Sequence, residues 1–448
     1  MKRYQSYKPS SIEWIGEIPI NWNETRLKYI GNLYGGLTGK SGGDFQQEDN
    51  PKNKPYIPYT NIFRNTYISK SHVDYVVLEE GENQNKVQKF DLFFLMSSET
   101  YQDLGKPSIL IDDIEELYLN SFCKGLRVNR KDINPLFLNY QLLGSVHKEL
   151  ISIEGRGFTR INLRQDRLNE TPIFVPPLQE QNQIVRFLDE KTELIDKLIS
   201  SKERKITLFK EQRTSLINQV VTKGLNPNVK MKDSGVEWIG EIPEKWKFIK
   251  LSYIISKSDL GGNYESSTEN DGVPLMKMGN LGRGKITLNK IEYLGQDENF
   301  DITHKLEYGD FLFNTRNSVE LVGKVSLWRN ELEYSLYNSN ILRITFKEEV
   351  DNEFMCYLFN SQSVLDVLKL ISKGTTSVSG IYYKDLSEIK IPFPSKIEQQ
   401  EIVGYLDTKT KEIDDLVYLE QKKIDTLKEY RQSLISEVVT GKIKVTTD

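Results

Sequence analysis

Three stretches of this chain approach chemistry-bearing motifs, and none completes one. Gly35-Gly36-Leu37-Thr38-Gly39-Lys40-Ser41 has the glycines, lysine and serine of a loop that cradles phosphates. It is one residue short between its glycines, and Gly42-Gly43 follow where a helix must start. Asn134-Pro135-Leu136-Phe137 approaches the tetrapeptide that grips a flipped adenine in amino-methyltransferases, but it lacks the second proline. Gly155-Arg156-Gly157 is too weak a signal for a glycine-rich turn that binds S-adenosylmethionine. His72, His147 and His304 are too far apart for ligand spacing, and Cys123 and Cys356 form no C-x-x-C pair. The expectation is a chain without catalysis of its own and without a metal or cofactor.

What remains is recognition chemistry. The segment GRGFTRINLRQDR at 155–167 carries Arg156, Arg160, Arg164 and Arg167 with one acid, although the whole chain has a net charge of −4. Phosphate contact depends on where charges lie rather than on their sum. Further candidates in the first half are Lys40, Asn61, Arg64, Ser97 and Ser98. The second half offers Lys277, Asn280 and Arg283, then Asn314, Arg316 and Asn317, then Lys373 and Thr375 beside Gly374 and Thr376. Arg and Asn suit the edges of guanine and adenine, while Lys, Ser and Thr suit phosphates. For any one of these residues an ordinary solvated loop is the competing reading.

The elements that must position these residues are written twice. IEWIGEIP at 12–19 returns as VEWIGEIP at 236–243, and Trp22, Leu27 and Tyr29 return as Trp246, Leu251 and Tyr253. A second block, 182–222, returns at 400–440 after a proline-marked edge in each copy. Between the blocks the halves agree in outline only: Asp91-Leu92-Phe93 echoes Asp310-Phe311-Leu312, and Leu126-Arg127-Val128 echoes Leu342-Arg343-Ile344. The order is a variable unit and a constant segment, twice over. The boundaries expected are 1–172 and 226–390 for the variable units, with helices at 173–225 and 391–448. The segments 56–62 and 273–281 read as strands. The segment 132–146 reads as a helix capped by Asn134.

The constant segments have heptad spacing. One seam runs Leu188, Ile195, Lys202, Phe209, Leu216 and its copy Leu406, Ile413, Glu420, Leu427, Leu434. The other runs from Val185 to Val220 and from Val403 to Val438, with Arg213 and Arg431 at matching steps. A helix of about 40 residues is roughly 60 Å long. Lys202 and Glu420 are the charged layer of the first seam, which predicts that they pair at the centre of an antiparallel coil; solvent-facing side chains are the alternative. Ile184, Leu198 and Ile217, matched by Ile402, Leu416 and Ile435, form an extra apolar stripe that a partner or the variable units must cover. The fold class expected is α+β: two pseudo-symmetric mixed α/β units joined by two long antiparallel coiled-coil helices.

The sequence has 448 residues, long enough for two large domains, with no apolar run long enough for a membrane span and no secretory-signal pattern, so a cytoplasmic location is expected. The whole chain resembles the specificity subunits of type I restriction-modification systems. The carrying residues are the blocks at 14–19 and 238–243, VPPLQEQNQIVRFLD at 175–189 with a degenerate copy at 391–407, and the helix ends INQVVTKG and ISEVVTGK. The copy at 391–407 departs from the pattern, which puts the detail of that contact in doubt. The resemblance implies two target-recognition domains, each reading half of a bipartite site in double-stranded DNA. It also implies two methyltransferase subunits docked on the helices, and separate restriction and translocase subunits. S-adenosylmethionine and ATP then belong to those partners. From the residues alone, half-sites one helical turn apart, about 34 Å, would place both units on one face of DNA. A duplicated coiled-coil interaction scaffold without DNA contact is the other reading. A standalone methyltransferase fails for lack of motifs.

Overall fold

The computed structural model describes residues 2–13, 15–45, 50–236, 238–269, 271–375 and 377–445, so Trp14 of the first repeated block and Thr376 lie outside the described residues. The chain forms two compact units, Met1–Lys202 with Lys422–Asp448 and Glu203–Gln421. Each unit therefore holds one variable head together with parts of both long helices. Among the described residues no helix is long and apolar enough to cross a membrane.

In the first unit a five-stranded sheet comprises β1 (Gly31–Gly35), β2 (Tyr67–Ile68), β3 (Leu92–Leu95), β5 (Pro107–Leu110) and β6 (Cys123–Val128), in the order β1-β6-β3-β5-β2. Strand β3 is a continuous apolar run because both faces of the sheet are covered. Leu92 and Phe94 pack in one cluster with Leu126 and Ile109, and Phe93 and Leu95 pack in another with Leu110 and Cys123. The segment 56–62 departs from the expected strand. The strand ends at Ile57, and Pro58, at φ −66°, opens a short helix, Tyr59–Arg64. Helix α1 (Pro135–Leu143) starts as expected, with Asn134 Oδ1 accepting from the backbone N–H groups of Leu136 and Phe137.

The second unit repeats this frame with β9 (Ile255–Leu260), β10 (Phe311–Asn314), β12 (Val325–Leu327) and β13 (Ile341–Phe346), in the order β9-β13-β10-β12. Its capped helix α3 (Asn352–Phe359) uses Asp351 where α1 uses Asn134. The same capping role with no Asn-Pro sequence assigns Asn134-Pro135 to helix initiation.

Helices α2 (Leu178–Lys223) and α4 (Lys396–Val439) start five residues later than expected. The preceding residues form β8 (Pro172–Val175), paired with Asn23–Arg26, and β16 (Lys390–Phe393), paired with Lys247–Lys250. In the second unit the helices run antiparallel, with Lys205 beside Glu420 at 3.2 Å and Arg213 beside Asp414 at 3.1 Å. In the first unit Arg431 meets Asp196 at 3.2 Å. The seam residues Leu188, Ile195 and Ile199 are buried, as are Leu406 and Ile413. The two seam arginines thus reach acids on the facing helix instead of breaking the apolar layers.

Each head is fixed to its helix by the same bonds. Trp22 Nε1 donates to Glu180 at 3.1 Å, and Trp246 Nε1 donates to Glu398 at 2.9 Å. Gln181 accepts from the backbone of Asn134 at 2.8 Å, and Gln399 accepts from that of Asp351 at 2.8 Å. The departure of the second copy from the first at 391–407 leaves this contact intact. The Tyr140 hydroxyl donates to Asp189 at 2.6 Å, and that of Tyr357 donates to Asp407 at 2.7 Å.

Candidate nucleic-acid interface

The arginine-rich segment folds into a small ribbon in the first unit. Strand β7 (Ile161–Asn162) pairs antiparallel with β4 (Ser97–Ser98), and Arg156 bridges to Asn162 to close a tight loop. Gly157 must be glycine: its φ is +138°, and a Cβ there would lie 2.1 Å from the carbonyl oxygen of Arg160. Gly155 is also hemmed in, by Leu104 and Ile161. The two glycines of Gly155-Arg156-Gly157 therefore shape a turn. Arg156 is exposed, with Nη1 donating to the carbonyls of Ile153 and Gly155. The Arg160 guanidinium lies 4.8 Å over the Phe122 ring. Phe158, at the tip between them, is 105% exposed.

The second unit builds an equivalent ribbon. Strand β15 (Ser379–Gly380) pairs with both β11 (Arg316–Asn317) and β14 (Lys373–Gly374). Gly374 has φ +141°, and a Cβ there would lie 2.3 Å from the carbonyl oxygen of Val378. Arg316 is exposed on the outer strand. Lys373 reaches Asp385 at 2.6 Å, and Asn317 Oδ1 accepts from the backbone of Ser318. Thr375 N donates to Val378 O at 2.8 Å, which closes the tip. Arg316, Asn317, Lys373 and Thr375 are thus brought together, as Arg156 and Arg160 are in the first unit.

Other candidates are placed elsewhere. Arg164 makes a two-pronged bond to Asp166 at 3.0 Å, and Arg167 sits beside Glu154. The guanidinium beside Asp166 holds that carboxyl below its ordinary range. The stripe of four arginines is therefore split by the fold. Ser97 and Ser98 are buried and serve as ribbon backbone. Asn280 is 4% exposed, with its amide spanning the turn from Lys277 N to Thr287 O, so it faces no ligand. Asn314 is fully buried at the end of β10, where neither amide atom has a hydrogen-bond partner. Side chains buried to this degree cannot reach a base edge, so these four readings are corrected. Lys40 pairs with Glu82 at 2.6 Å, and Lys277 with Glu292 at 2.5 Å. The Asn61 amide holds the His72 carbonyl, and Arg283 donates to the Glu320 carbonyl. Arg64 is exposed and lines a cleft of about 1040 Å³ between the first head and its helix segments.

The extra helix stripe divides in two. Ile184, Ile217, Ile402 and Ile435 are buried, so they offer no partner surface. Ile217 and Ile402 join the core that includes Trp246 and Phe359. Leu198 stays 51% exposed and Leu416 42% exposed, joined by Leu194 and Leu208 on α2 and by Leu419 and Tyr430 on α4. Glu420 is 4% exposed and faces Lys205, one helical turn from Lys202. The sequence reading gave Phe158 and Phe122 no role, and it did not assign Gly157 and Gly374 to the turns that they shape. The usable signal was a glycine after a basic residue at the same place in each half, four or five positions before a short strand.

A family model described as the type I restriction modification DNA specificity domain matches residues 19–208 and 243–429. The chain is 26% identical over 439 residues to the type I restriction enzyme MjaVIII specificity subunit of Methanocaldococcus jannaschii, covering 96% of this chain and 94% of that one. It is 24% identical over 441 residues to the EcoKI specificity subunit of Escherichia coli, covering 96% and 90%. Among solved structures, a chain from work on assembly and conformational transition of the type I R-M system superposes with a TM-score of 0.71. The identity there is 16%, and the match covers 95% of this chain and 99% of that chain, which is a likeness of fold.

Proposed function

Because this chain belongs to the type I restriction modification DNA specificity domain family, we propose that it is the non-catalytic, sequence-reading subunit of a type I restriction-modification complex, each unit reading one half of a bipartite DNA site. The observation that carries this reading is the matched pair of ribbons. Both heads build the same glycine-pinched hairpin at the same place, yet the tips differ in chemistry. The first carries Arg156, Phe158 and Arg160, and the second Lys373 and Thr375, with Arg316 on the neighbouring outer strand. Equal scaffolds with unequal tips suit two readers of unlike sequences, and the major groove is wide enough for a two-stranded β-ribbon. A protein-binding scaffold has no need of cationic tips.

In this reading the long helices set the half-site spacing, and two methyltransferase subunits dock on them. The exposed leucines, Leu194, Leu198 and Leu208 on α2 and Leu416 and Leu419 on α4, supply apolar surface for that docking. S-adenosylmethionine and ATP are assigned to the partner subunits.

Mapping methylated adenines in host DNA tests the proposal and yields both half-sites with their spacing. The assembled complex is then expected to bind that duplex with a steep dependence on salt. Arg156→Ala and Arg160→Ala should each reduce the log–log salt slope by about 1 if the arginine contacts a phosphate. Salt-insensitive binding, or none, returns the chain to the scaffold reading.

A further inference from the structure

The tip of the first ribbon holds a side chain that the fold does not use. Phe158 projects fully into solvent, while the largest apolar side chains of its unit, such as Trp22, Phe93 and Phe174, are buried. The turn is built to present it. Gly157 adopts a left-handed backbone, its missing side chain leaves room for the Arg160 carbonyl, and the Arg156–Asn162 pair closes the base. Arg156 and Arg160 stand on either side, and Arg160 is braced on the half-exposed ring of Phe122.

An exposed phenyl ring gains from meeting an apolar surface. In the major groove the C5 methyl of thymine is the apolar group on a base edge, and phenylalanine is among the side chains that meet it. Wedging between base steps is instead the habit of minor-groove binders. We propose that Phe158 is a specificity-determining residue of the first unit, its ring seated against the C5 methyl of one thymine while Arg156 and Arg160 hold the flanking backbone. The proposal rests on the reading that this ribbon enters DNA. The second ribbon has the smaller Val378 near its tip, so the two units do not share this preference.

The test uses the complex of this chain with its methyltransferase subunits and a duplex carrying the methylation-mapped site. Each thymine is replaced in turn by deoxyuridine, which pairs identically and lacks only the methyl. At one thymine the wild-type complex should lose about four-fold in affinity, the value of one buried methyl group. Phe158→Ala should bind the thymine duplex with a similar loss and should no longer distinguish thymine from uracil there. Phe158→Leu should retain part of the discrimination. Because the residue is exposed, the thermal midpoints of both variants should match wild type. If Phe158→Ala responds to uracil as wild type does, if no position responds, or if the half-sites lack thymine, the proposal is overturned. A wild-type complex that ignores the mapped duplex overturns the DNA-reading itself and this proposal with it; tight binding indifferent to uracil overturns this proposal alone.

Discussion

His147 lies fully buried in the first unit, with Nε2 2.9 Å from the Pro172 carbonyl oxygen, Nδ1 unpartnered and the Phe174 ring edge-on at 5.6 Å. Burial holds its pKa down to about 4 from 6.5, with the Pro172 contact opposing in part. The folded state therefore keeps this imidazole neutral where the unfolded chain takes up a proton. Stability is complete above about pH 6.5 and is lost as pH falls towards 4. At pH 5 the loss is about 2 kcal/mol. Thermal melts at pH 7 and pH 5 should show the first unit weakening, and His147→Phe should flatten that dependence. An unchanged slope in the variant would show that other groups titrate. The same sorting by environment acts on the arginines: Arg164 is held by a carboxylate two residues away, while Arg160 rests on an aromatic ring.

Elements decide what the helices can present. A long amphipathic helix with more than one apolar stripe must bury the excess somewhere, and here four of the six extra positions are buried, Ile217 and Ile402 in the core of the second unit. At the coil's charged layer, Glu420 is nearly buried with Lys205 at 3.2 Å. Glu420→Lys should cost about 2–3 kcal/mol, below the ~3–5 kcal/mol of a fully buried pair because Lys205 is half exposed. Adding Lys202→Glu should restore stability if the expected Lys202–Glu420 layer holds, whereas rescue by Lys205→Glu alone would assign the layer to Lys205. Thermal midpoints of the three variants decide between them.

At the scale of the molecule, the second unit is one continuous stretch of the chain, whereas the first is assembled from two separate stretches. The first closes only when residues 422–448 return to it: Lys2 pairs with Lys444, and Gly441 packs on Pro19 and Trp22, where a Cβ would lie 2.3 Å from the proline ring. Helices α2 and α4 each begin in one unit and end in the other. Four residues added to each helix at matching positions lengthen it by about 6 Å. The methylated half-sites should then lie about two base pairs further apart. Sequencing methylated DNA from cells carrying the insertion reads this directly, and an unchanged spacer would remove the helices from the role of ruler.

The sequence by itself determined the duplication, the long helices and the Asn134 cap, because heptad period, repeated blocks and cap chemistry are local properties of the chain. It also located the arginine-rich segment. Only the tertiary structure decided which candidates face outward. Ser97, Ser98, Asn280 and Asn314 look like surface hydrogen-bonding residues, yet the fold buries all four. It alone showed that Gly157 and Gly374 pinch matching hairpins and leave Phe158 at a tip. Burial is set by residues distant in sequence, and a one-dimensional pattern cannot show which of them arrive to cover a side chain.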